Sequence, residues 1–191
     1  MSSAVDISNQ ALLILGASPI VSFEDETLEA NALKVLYGPA KKHLLRAYDW
    51  NCANKTATLA LLDEQPIQPH WTSLHAWPDD ALRILEVIEF GHPTYRRVEW
   101  EVEGRRIYTR SNNVAARYIA DVPEPMLDPH VESALAGKLA LDLSYTLTSD
   151  NSRESNVASL YASRLDEART TDSQERSSRR FRIDTLLHAR L

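Results

Sequence analysis

Six of the chain's nine prolines stand between residues 51 and 125, at Pro66, Pro69, Pro78, Pro93, Pro123 and Pro125. Each removes a backbone donor and fixes φ, so the stretch excludes long helices and favours turns and short strands. On either side, apolar residues recur at steps of three or four. That is the period of one helix face, so the chain divides into three zones.

The first zone, residues 3–50, predicts two helices. Ile7, Ala11, Ile14 and Leu15 form the stripe of the first, with Ser3 as cap and Gly16 as stop. A loop through Pro19 and Phe23 leads to a second helix beginning near Glu26. Its face carries Leu33, Tyr37, Ala40, Leu44 and Tyr48, widened by Val35, Leu36 and Leu45, with Lys34, Lys41, Lys42 and Arg46 away from it or along its border. Gly38-Pro39 is expected to kink this helix, and Trp50 to end it. On periodicity alone it is a bent core helix.

The middle zone shifts toward period two. Leu82, Ile84, Val87 and Ile88 read as an irregular strand, and Val98, Trp100 and Val102 alternate with Glu99, Glu101 and Glu103 as in a half-buried one. Gly104-Arg105 turns that strand back into 106–109, and Tyr118–Ala120 adds a further short strand. In the third zone Asp128 caps a helix with Pro129 at its first position, running to about Thr148 through Val131, Leu135, Leu139, Leu143 and Leu147. Asn151 and Glu154 resemble a capping box for a last helix whose stripe is Val157, Leu160, Tyr161, Leu165 and Ala168, the pair forming an antiparallel hairpin. From Arg176 the composition changes: RSSRRFR places four arginines in seven residues around Phe181, followed by IDTLLHARL.

These zones predict an α+β fold, mainly α. An antiparallel helical bundle comes from residues 1–50 and 128–175, a β-rich insertion from 51–127, and an extended docking tail from 176–191. At 191 residues such a chain buries roughly 70% of its unfolded surface. A formal charge of −6 argues against a nucleic-acid binder, which needs a basic face. The lone Cys52 excludes an internal disulfide and a cysteine-only metal cage, and fits a reduced cytosol. No apolar run has signal-peptide or membrane-span form, so a soluble protein made in a cytoplasm is expected.

Candidate chemistry is thin. Asp79 and Asp80 are adjacent, so on a strand they point to opposite faces, and the turn after Pro78 accounts for both. None of His43, His70, His75, His92, His130 and His188 pairs at the i, i+4 spacing of a helical metal site. His70 and His75 flank Trp71, where packing or solvent explains them better than a metal. Cys52 reads as a buried thiol. No GxSxG, Walker or GxGxxG pattern occurs, and neither an enzyme, a cofactor nor a metal is expected. A small hydrolase would need Asp80, His75 and a nucleophile that the sequence does not offer.

Four separated pieces, in order, are similar to the head-to-tail connectors of bacteriophages of the tail tubular protein A type. The first runs from Tyr37 through Leu44, Leu45, Arg46 and Tyr48 to Trp50 and Ala53. The second is WPDDALRILEV at 77–87, in which Pro78, Asp80 and Arg83 fit while Trp77 replaces an aliphatic residue. Residues 116–148 and 160–175 supply the third and fourth, and FRIDTLLHAR is loosely similar to the closing segment, with Phe181 where a tryptophan is common. The resemblance makes Tyr37, Leu44, Tyr48, Trp50, Pro78, Asp80 and Arg83 a fold signature.

It also implies a non-enzymatic virion protein, assembled in the host cytoplasm and located at the head–tail junction. Such a protein forms a ring, typically dodecameric, between the portal and a tail or nozzle protein, with DNA passing through the lumen without sequence-specific binding. Arg176, Arg179, Arg180, Phe181, Arg182, Ile183, Leu186 and Leu187 are then expected to dock on the portal or a neighbouring subunit. Tyr37, Leu44 and Tyr48 are expected to lock the first helices onto the 131–168 hairpin. The alternative is a DNA-contacting packaging accessory protein that uses the arginine-rich tail.

Overall fold

The computed structural model describes residues 2–91, 96–148 and 151–175. Helix α1 (Ala4–Leu15) begins in a reciprocal cap: the Ser3 hydroxyl accepts from the Asp6 N–H at 3.1 Å, and Asp6 Oδ2 accepts from the Ser3 N–H at 2.8 Å. It ends at Gly16, whose φ of 67° is the left-handed conformation that glycine adopts without strain. Helix α2 (Leu28–Ala47) is capped by Thr27, runs through Pro39 as one element, and buries Ala30, Leu33, Tyr37, Ala40, Leu44 and Leu45. Val35 is 69% exposed, because it lies two residues, or about 200° of helix, from both Leu33 and Tyr37. The helix stops at Ala47 and not at Trp50; Tyr48 is already extended.

Helix α3 (Pro129–Thr148) starts where Asp128 Oδ1 accepts from the His130 N–H at 2.8 Å. Helix α4 (Asn151–Gln174) returns antiparallel along it: Arg164 donates to the Ser133 carbonyl, and Gly137 lies against Tyr161. In the expected α4 stripe only Val157 and Ala168 are buried, and Leu160 is 37% exposed. The expected Asn151 cap falls on a side chain outside the described residues.

Seven strands complete the described residues: β1 (Asn54–Thr58), β2 (Ser73–Ala76), β3 (Ala81–Glu89), β4 (Arg96–Arg97), β5 (Trp100–Glu103), β6 (Arg106–Thr109) and β7 (Val114–Ala120). They form two antiparallel sheets, in the orders β1-β7-β3-β4 and β2-β6-β5. The expected hairpin is present as β5–β6, turning at Gly104 with φ 62°. The irregularity in the 82–88 strand is a pair of register shifts of β3 against β7, between Ala81 and Arg83 and between Ile84 and Glu86.

The expected helical bundle with a β insertion is not the arrangement. Among the described residues, the molecule is an α+β fold of four helices and two antiparallel sheets whose main apolar core is continuous, from Ile7, Leu33, Leu44 and Leu139 to Val87, Ala116, Ile119 and Ile107, with a small second cluster of Trp71, Leu74 and Tyr108 apart from it. Strand β7 shows why. Val114, Ala116, Tyr118 and Ala120 point to one face, and Ala115 and Ile119 to the other, yet all six are buried. A strand covered on both faces is an interior layer of the fold, with no separate core of its own.

Candidate interaction surface

Tyr37, Leu44, Tyr48, Trp50 and Asp80 of the signature take part in contacts between elements or segments. Trp50 is fully buried, its indole N–H donates to the Leu44 carbonyl at 2.9 Å, and the Tyr48 ring lies 4.7 Å away. Asn51 then ties to the far end of α4: its backbone N–H and its side-chain amide donate to Asp172 at 2.7 and 2.8 Å. Tyr48 reaches α4 through the Arg169 guanidinium, 5.7 Å from its ring centre. Tyr37, expected on the α3–α4 hairpin, instead packs on Phe23 and donates to Glu124 in the turn before α3. Burial and the Glu124 charge push the Tyr37 phenol far up. Burial would raise the Glu124 carboxyl too, but hydrogen bonds from its own backbone N–H, Lys41 and Tyr37 outweigh it and hold the carboxyl low.

Asp79 and Asp80 part company. Asp79 is exposed, whereas Asp80 accepts from Lys55 at 2.6 Å and from the Tyr118 hydroxyl at 3.0 Å, linking β1 and β7 to the turn before β3. The Lys55 hydrogen bond, opposed by burial and helped by Tyr118, keeps the Asp80 carboxyl below the usual range. Arg83 is half-buried on β3, opposite Ile119. His70 is exposed beside Trp71, while His75 is fully buried in β2, its Nε2 3.1 Å from both Thr109 Oγ1 and the Ser111 carbonyl, so the two do not converge. Burial pushes the His75 ring below its ordinary value, against the Ser111 carbonyl, which favours its charge. Burial likewise pushes the Cys52 thiol up. Among the described residues no group of three or more His, Cys, Asp and Glu side chains gathers as a metal would require. His92 and His188 lie outside the described residues.

One polar cluster was not legible in the sequence. Glu86, 7% exposed, accepts from Arg117 Nε at 2.7 Å and forms an ion pair with Arg97 Nε at 2.8 Å, and Arg117 also reaches Asn54 and Asp49. It joins β1, β3, β4, β7 and the segment after α2. The only sequence signal is a charged residue inside the apolar run VAARYIA; its partner depends on sheet register.

What the fold leaves open is surface. Beside α2, Phe23, Glu24, Lys34, Tyr37 and Gly38 line a cleft of about 300 Å³ rimmed by the exposed Lys34–Glu24 ion pair. The β2-β6-β5 sheet carries its own small apolar cluster of Trp71, Leu74 and Tyr108, with Leu62 against it. Its β5 edge displays Glu99, Glu101 and Glu103, all exposed, and Val102 is 38% exposed, so the strand expected to be half-buried is the most open in that sheet. Leu28 and Val35, seven residues apart on α2, and Leu61 and Ile67, in the segment between β1 and β2, are further exposed apolar side chains. Arg176, Arg179, Arg180, Phe181, Arg182, Ile183, Leu186 and Leu187 lie outside the described residues. No helix among the described residues is long and apolar enough to cross a membrane. The chain matches no family model and no curated protein.

Proposed function

We propose that the protein is a structural head-to-tail adaptor of a bacteriophage virion, a ring subunit set between the portal and the tail, with DNA passing through the lumen and no catalysis. The observation that carries this reading is the use made of the polar residues that a catalytic site would need. Asp80, Glu86 and Glu124 each accept from a lysine or arginine of another element, and His75 is sealed in a sheet interior. Among the described residues, these carboxylates are engaged in joining elements of the fold.

Two further points support it. The four ordered pieces of resemblance span most of the chain, and Trp50 and Asp80 of their signature sit at joints of the fold. A closed ring needs two dissimilar side surfaces on each subunit. The exposed apolar pair on α2 and the glutamate-lined β5 edge are dissimilar surfaces on separate elements.

The arginines after Glu175 favour one other reading, a packaging accessory that grips DNA. Salt separates the two. A phosphate-binding protein loses affinity steeply as salt rises. The adaptor reading predicts negligible DNA affinity for the isolated protein, and closure of its pairwise contacts into a ring only on portal. A steep salt-dependent DNA affinity without portal-dependent assembly would replace it with the accessory.

A further inference from the structure

The β2-β6-β5 sheet ends at β5, whose outer backbone groups have no strand partner among the described residues. Directly opposed residues share a face, so register assigns the two faces of this edge. Trp100 stands opposite Thr109, and Val102 opposite Ile107, which in turn opposes His75; Thr109, Ile107 and His75 are all fully buried, so this is the inner face. Glu101 and Glu103 lie on the outer face with Tyr108 and Arg106. At its open edge the strand therefore offers an apolar inner row, Trp100 and Val102, and an anionic outer row. Glu101 accepts from the Trp71 indole, and neither it nor Glu103 has an ion pair with lysine or arginine among the described residues. An edge so exposed is a template for an added strand.

The chain contains a segment with the matching alternation. In Arg180-Phe181-Arg182-Ile183, arginines and apolar residues alternate at period two, so an extended segment puts both arginines on one face and Phe181 and Ile183 on the other. Laid beside β5, the arginines meet Glu101 and Glu103 while the apolar pair extends the row of Trp100 and Val102. Opposite charges on neighbouring strands are favourable, and main-chain hydrogen bonds satisfy the open edge. Sixteen residues follow Glu175, and the six from Glu175 to Phe181 can span at most about 20 Å.

We infer that residues 180–183 of one copy add as a strand to the β5 edge of a neighbouring copy, a docking that rests on the ring reading above and names the contact between its subunits. Two single-cysteine proteins test it, each in a Cys52→Ser background, one with Val102→Cys and one with Phe181→Cys. Mixed and oxidised, they are expected to form a covalent dimer of the two. Glu101→Lys with Glu103→Lys in the first protein should cut its yield at least tenfold, and adding Arg180→Glu with Arg182→Glu to the second should restore it.

Three results would overturn the inference: no dimer while circular dichroism shows both proteins folded, a dimer indifferent to charge reversal, or, with both cysteines in one chain, a disulfide that closes only within that chain. A portal pull-down in parallel keeps the two readings apart. The dimer without portal binding removes the adaptor and leaves the docking; portal binding without the dimer does the reverse.

Discussion

Trp50 has no exposed surface, and its indole N–H holds the last turns of α2 by donating to the Leu44 carbonyl. Trp50→Phe keeps most of the apolar burial but removes that donor, so it should cost about 1–3 kcal/mol in urea unfolding. Trp50→Ala also opens a cavity and should cost about 3–5 kcal/mol. His75 predicts a pH dependence. Its ring is a base whose folded pKa is lowered by burial, so the neutral form belongs to the folded state. The stability it permits is present above its ordinary value near 6.5 and is lost as pH falls below that toward the folded pKa. Urea midpoints measured from pH 7.5 to 5 should fall with acidification, and His75→Asn should flatten that slope; an unchanged slope would show that other groups carry it.

Among the elements, legibility followed the range of the determining contacts. The α1 and α3 starts and the β5–β6 hairpin were readable because Ser3, Asp128 and Gly104 act within three residues of themselves. Strand β1 reads NKTAT and buries none of its residues fully, and β2 has four residues; both exist through pairing with β7 and β6, 30 residues or more away along the chain. No local period announces such strands. The α4 stripe was overread for a related reason: α4 packs mainly on α3, so Leu160 stays in the open. Close packing of that pair centres on Gly137, where an added Cβ would sit 3.4 Å from the Tyr161 Cα. Alanine there gains helix propensity while touching that backbone, so Gly137→Ala should change stability little. Gly137→Leu has no room and should lower the unfolding free energy by about 1–3 kcal/mol, read by denaturant titration.

For the whole molecule, the period change at residue 51 is real, but it marks a change of element and not a boundary between cores. Period two in a sequence says that side chains alternate; it does not say that one face is wet. β7, buried on both faces, carries the sheet into the same core as the helices. Candidate chemistry was legible mainly as an absence of motifs, while the ion pairs of Glu86 and Asp80 needed sheet register to be seen. The proposed reading is one of assembly, and it rests on the surfaces that the described residues leave exposed. Electron microscopy of the full chain mixed with a bacteriophage portal complex tests this most directly. The adaptor account predicts a closed ring of this protein on one end of the portal, coaxial with its channel. A protein that stays dispersed beside bare portals, and instead coats added DNA, would contradict it.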